Sequence, residues 1–86
     1  MYVYESERDF VFSESGQEKF LAIRDRVNAL LSDAGAVSMS GAMRGSSGSA
    51  WSLMACVDRL VELGELREIT GQDVAGQNRV FVRGRK

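Results

Sequence analysis

Arg79, Arg83, Arg85 and Lys86 crowd into the last eight residues of a chain whose formal net charge is only −1. Cations gathered at one end of an otherwise acidic chain are phosphate-seeking groups. Gln77 and Asn78, just ahead of them, offer amides that bond to nucleic-acid backbone or groove edges. The competing reading is a polar hairpin with a solubilising basic end. A second candidate is Gly45-Ser46-Ser47-Gly48-Ser49. Its backbone N–H groups and the start of a following helix suit an anion. It lacks the Gly-Lys-Ser/Thr ending of a nucleotide-hydrolysing loop, and its Gly-x-x-Gly spacing is a short match to an RNA-clamping loop. Its plain reading is a flexible turn between helices, with a serine cap.

Other chemistries are closed off by what is missing. There is no histidine, which removes the commonest general base and metal ligand. A serine nucleophile would therefore lack its usual base. Cys56 is the only cysteine, so neither an internal disulfide nor a thiolate metal cluster can form. With no basic neighbour to lower its pKa, Cys56 reads as a packing residue. No enzymatic activity, metal or cofactor is expected.

The 86 residues, 44% hydrophobic and 27% charged, fit one compact domain over 1–86. A domain this small buries only roughly 60% of its unfolded surface, so self-association is a reasonable source of further burial. No stretch approaches the ~20 apolar residues of a membrane span, and no basic-then-apolar leader pattern opens the chain. A cytoplasmic protein without membrane contact is expected. Charge is unevenly divided: residues 1–36 hold seven acidic and four basic groups, and residues 37–86 hold five acidic and seven basic. A pI near 5.4 is low for a strong nucleic-acid binder.

These groups must be positioned by elements that the hydrophobic pattern outlines. Tyr2-Val3-Tyr4 and Phe10-Val11-Phe12 alternate on either side of a charged stretch, predicting a two-stranded ribbon over 1–13. Tyr2, Tyr4, Phe10 and Phe12 would share one of its faces. Ser15 to Glu18 matches a capping box, and Phe20, Ile23, Val27, Leu30, Leu31 and Ala34 recur at helical steps. A helix over 15–34 follows, stopped by Gly35. Ala36-Val37-Ser38 suits a minimal strand, and Ser38 can cap a short helix over 38–45. A third helix over 50–63 carries Ala50, Leu53, Val57, Leu60 and Val61 as its buried stripe, with Met54 at the flank, and ends at Gly64. Leu66–Ile69 and Arg79–Val82 then pair across a loop, a hairpin within 66–83.

The run Val57-Asp58-Arg59-Leu60-Val61-Glu62-Leu63-Gly64-Glu65-Leu66, with the hairpin behind it, resembles winged helix-turn-helix proteins. It is most similar to bacterial regulators of the multiple-antibiotic-resistance type, over approximately residues 20–83. The resemblance implies an α+β fold of three helices and a C-terminal two-stranded wing, here with an N-terminal ribbon. It implies that the third helix enters the major groove of DNA and that the hairpin touches the minor groove or the backbone. Base-facing positions would be Trp51, Ser52, Met54 and Ala55, with Arg59 further along, and Arg44 is the one basic residue near the preceding turn. Arginine, lysine, asparagine and glutamine read base edges best, and the first two turns of this helix hold none of them.

The expectation is a small regulatory protein making weak, phosphate-dominated contact with duplex DNA. The contacts would come from Arg44, Ser47, Ser49, Trp51, Ser52, Arg59, Gln77, Asn78, Arg79, Arg83 and Arg85. Its rival is a winged domain turned to protein–protein interaction through Trp51, Ser52 and Ala55. A positive third helix would favour the first, and an apolar, near-neutral one the second. In either case the wet face of the aromatic ribbon predicts a homodimer through Tyr2, Tyr4, Phe10 and Phe12.

Overall fold

A computed structural model describes residues 1–85; Lys86, last of the clustered cations, lies outside them. The first segment corrects the sequence reading. Tyr4–Val11 is a helix, α1, and the N-terminal ribbon does not exist. Two three-residue runs are too short to separate a period of 2 from one of 3.6. Tyr4, Arg8 and Val11 recur at helical steps, with Glu5 and Glu7 in the first turn and Arg8 in the last, the arrangement a helix dipole favours. Val11 is fully buried. The segment has found its surface on the chain's own helices, so no ribbon remains to join two copies.

Ser13 ends α1 and starts α2 (Glu14–Ala34). Its hydroxyl donates to the Phe10 carbonyl at 2.6 Å and accepts from the Gly16 N–H at 3.0 Å. The cap is thus Ser13, and the expected box at Ser15 lies inside the helix. Gly16 lets the two helices meet, since a Cβ there would stand 1.7 Å from the Phe10 carbonyl oxygen. Phe20, Ile23, Val27 and Leu31 form the buried stripe as expected, while Ala34 is exposed.

After Gly35, in the left-handed conformation at φ 77°, the chain forms β1 (Ala36–Ser38), α3 (Met39–Met43), α4 (Ala50–Glu62), β2 (Leu66–Glu68), a 3₁₀ turn (Gly76–Asn78) and β3 (Val80–Arg83). Ser38 caps α3 by accepting from the Gly41 N–H, the role its position predicts. The end of α4 is a paired closure at Gly64: the Glu65 N–H reaches the Leu60 carbonyl and the Gly64 N–H that of Val61. The strands form one antiparallel sheet in the order β1-β3-β2. The expected hairpin pairing is present with slightly different limits, Leu66 standing opposite Arg83 and Glu68 opposite Phe81.

Over the described residues the fold is therefore α+β, four helices and a three-stranded antiparallel sheet. Val37, Leu66 and Phe81 from the sheet meet the α2 stripe, Met39 and Ala42 of α3, and Leu53, Val57 and Leu60 of α4 in one core. Helix α4 is buried more widely than its pattern implies. Met54, Ala55 and Cys56 are also inside, whereas Ala50 is exposed and Val61 only half-buried.

Candidate functional site

Helix α4 has two working faces. At 3.6 residues per turn, Leu53, Val57 and Leu60 form one stripe, and Trp51, Ala55, Asp58 and Glu62 form another on the opposite side. The first stripe enters the core, and α1 lies against the second. The Tyr2 hydroxyl donates to Asp58 Oδ2 at 2.6 Å, and the Tyr4 hydroxyl donates to Glu62 Oε1 at 2.8 Å. Arg8 Nε reaches both Glu62 oxygens at 3.0 and 3.1 Å, and Arg59 Nη1 bonds Glu62 Oε1 at 2.7 Å. The Arg8 and Arg59 guanidiniums lie 4.8 and 4.9 Å from the Phe12 ring centroid, a cation–π contact from each helix.

The titration behaviour follows from these contacts. Hydrogen bonds from Tyr4, Arg59 and Arg8 hold the Glu62 carboxyl down at about 2. Burial, then the Glu62 hydrogen bond and charge, push the Tyr4 phenol up to about 12. Burial also raises the Tyr2 phenol, with Asp58 adding to it.

Arg79, expected to face phosphate, is engaged within the chain. Its guanidinium makes four hydrogen bonds, two to Asp58 and two to Glu68, at 2.8–3.2 Å. It also lies 5.2 Å from the Phe81 ring centroid. Its side chain is 18% exposed, and its hydrogen bonds to Glu68 and Asp58 raise its pKa further. The same contact lowers the Glu68 carboxyl. Arg79 thus ties the hairpin to α4. Around the outward face, Asp58, Glu62 and Glu68 are matched by Arg8, Arg59 and Arg79, and the cluster is electrically neutral.

The other predicted residues fall into separate places. Ala55 and Met54, assigned to base contact, are buried, Ala55 completely, because α1 covers the one and the hairpin loop the other. A Cβ at Gly76 would come within 2.8 Å of Met54 Cε, so the 3₁₀ turn of the loop sits directly on α4. Gln77 and Asn78 are exposed on that turn. Arg83 is at the other end of the hairpin, where Nη1 donates to Asn28 of α2 at 3.3 Å, and Arg85 follows it, exposed. The expected basic group is therefore dispersed: Arg79 is neutralised, Arg83 and Arg85 lie away from the loop tip, and Lys86 is outside the described residues. Arg44 is exposed beyond α3, Ser49 starts α4 without a side-chain cap bond, and the Ser47 carbonyl and hydroxyl accept from Lys19. Tyr2, Tyr4 and Phe10 are half-buried in their own chain, and Phe12 remains 49% exposed.

At the start of α4 the neutral face opens into an apolar cleft of about 310 Å³. Trp51, Met54, Met43, Tyr2, Ala50, Gly76 and Gln77 line it. Trp51 is 43% exposed and meets the edge of Tyr2 with ring centroids 6.5 Å apart. Sequence reasoning missed Arg8, Asp58, Glu62, Glu68 and Met43 as members of this surface. The spacing of Trp51, Ala55, Asp58 and Glu62 was the available signal, because it marks a second stripe that groups carboxylates where a DNA reader needs cations.

Among the described residues no helix is long and apolar enough to cross a membrane. Compared with family models, curated proteins and solved structures, the chain gives no match.

Proposed function

We propose that the chain is a winged helix-turn-helix domain adapted to protein docking, with the Trp51 cleft as its contact site. The order of helices, minimal strand and hairpin supports the winged reading: β1 leads into α3, and β3 pairs between β1 and the returning β2. The observation that carries the function is the cover of α1 over the outward side of α4. A major groove is about 12 Å wide and takes one helix with its side chains, which is itself about 10–12 Å across. With α1 alongside, α4 is two helices wide and does not fit. The cover adds no net cation either, with Glu5, Glu7 and Asp9 against Arg8 alone, whereas duplex binding draws on unneutralised cations.

What this surface offers is apolar. Tryptophan is over-represented among the side chains that dominate binding energy, and methionines adapt to irregular partners. A cleft of about 310 Å³ takes one or two apolar side chains, and Gln77 supplies amide bonds at its edge. The fitting occupant is a short segment of another protein that presents an apolar anchor. A displayed random-peptide library selected on the immobilised chain tests this. Enriched peptides should share an apolar anchor and lose about ten-fold or more in affinity for the W51A variant, the usual range for an aromatic hot spot. Peptides indifferent to W51A would overturn the docking reading. So would duplex DNA binding at about 50 mM salt that Arg44→Ala and Gln77→Ala abolish, because phosphate contact is the salt-sensitive term.

A further inference from the structure

A second cleft, of about 360 Å³, lies on the other side of the molecule's short connection between α3 and α4. Its floor is α2, where Lys19, Ala22 and Arg26 share a face at three- and four-residue steps. Ala22 contributes only a methyl group, which leaves the space between the two cations open. Its opposite wall is Gly45, Ser46 and Ser47.

The two cations do different work. Lys19 Nζ holds the loop by donating to the Ser47 carbonyl and hydroxyl. An ammonium has three donors, so one remains for a ligand. Arg26 holds nothing. Arg8, Arg24, Arg59 and Arg79 each have a carboxylate partner, but among the described residues Arg26, like Arg44, Arg67, Arg83 and Arg85, is in no ion pair. Gly45, at φ 81°, brings the loop main chain down beside it, and a Cβ at that position would lie 3.1 Å from Arg26 Nη2. An unpaired guanidinium fork, a lysine with a spare donor and two serines thus border one open space. That set matches the geometry of phosphate oxygens, which guanidinium binds in a bidentate manner.

We propose that this cleft binds a phosphate dianion, free or esterified. It is separate from the Trp51 cleft and does not rest on the docking reading. Glu18 is the one carboxylate in its lining and works against an anion, which gives the proposal a variant of opposite sign. The ligand is either the free inorganic anion or an esterified phosphoryl group, and the probes below separate the two.

The test is an NMR titration of the intact, nitrogen-15-labelled chain with inorganic phosphate and with O-phosphoserine, against chloride at equal ionic strength. At about pH 8 both probes are mainly dianions, since the second pKa is near 6 for the ester and about one unit higher for inorganic phosphate. The Gly45, Ser46 and Ser47 amides should shift and saturate with both probes but not with chloride. Arg26→Gln should weaken binding about ten-fold through loss of the bidentate contact, and Glu18→Gln should strengthen it about three-fold. Both positions are exposed, so folding is preserved. Tighter binding of O-phosphoserine assigns the site to an esterified group, and equal binding assigns it to the free anion. Shifts that chloride reproduces, or a titration that R26Q leaves within about two-fold of the parent, would overturn the proposal.

Discussion

Replacing Arg79 by alanine separates a structural arginine from a phosphate-binding one. The substitution removes four N–H···O contacts at 2.8–3.2 Å and leaves Asp58 and Glu68, whose side chains are 11% and 27% exposed, with their hydroxyl donors Tyr2 and Thr70 but without this counter-ion. Breaking a fully buried pair costs about 3–5 kcal/mol, and an exposed pair is worth about 0–1 kcal/mol. This cluster is mostly but not wholly buried, so a loss of about 2–4 kcal/mol is expected once solvent screening is allowed for. At roughly 0.05–0.15 kcal/mol per residue, a domain of this length holds only about 4–13 kcal/mol in total. The variant should therefore melt about 8–32 °C lower, at about 4–8 °C per kcal/mol for a chain of this size. Urea unfolding followed by circular dichroism measures it, with the slope unchanged. Arg83→Ala, on an exposed side chain, should stay within about 0.5 kcal/mol of the parent. Adding Asp58→Asn and Glu68→Gln to an Arg79→Met chain should recover part of the loss, because much of it resides in the stranded carboxylates. An Arg79→Ala chain as stable as the parent would refute the reasoning and return Arg79 to the ligand-binding candidates.

Gly16→Ala should destabilise the chain by about 1–3 kcal/mol in the same unfolding assay, although alanine normally improves a helix interior by about 1 kcal/mol. The reason is the 1.7 Å approach its Cβ would make to the Phe10 carbonyl oxygen, and a stabilised variant would mean that α1 and α2 do not meet there. Because the Glu62 carboxyl is depressed to about 2, its contribution is present above its ordinary value near 4.5 and fades as pH falls toward 2. Acid titration of Trp51 fluorescence should show α1 loosening in that window, and Glu62→Gln should flatten the response. The Cys56 thiol, pushed up to about 11 by burial, should react with a disulfide reagent at least about a hundred-fold more slowly than in the unfolded chain. A rate equal to that of a free thiol would place Cys56 at the surface.

Much of the fold was legible because its signals are local. The periodicity of Phe20, Ile23, Val27 and Leu31, the stops at Gly35 and Gly64, the cap at Ser38 and the pairing of 66–69 with 79–82 each depend on neighbours a turn or a hairpin away. The limits moved by a residue or so, and Ser13 replaced Ser15 as a cap because its hydroxyl also reaches back to Phe10. The absence of histidine and the single cysteine were equally plain, since composition alone decides them. The first twelve residues were not legible. Their short apolar runs suit a strand or a helix, and what decided between them was the face of α4 on which Tyr4 and Val11 come to rest. The fate of the cations was likewise a tertiary matter. Arg79 belongs to the same basic cluster as Arg83 and Arg85 in sequence, yet Asp58, 21 positions earlier, and Glu68, 11 positions earlier, surround it in the folded chain. A charge seeks the nearest opposite charge through space, and chain order does not fix that distance. Only the folded protein therefore distinguishes the arginines that hold it together from Arg26, left open in its cleft.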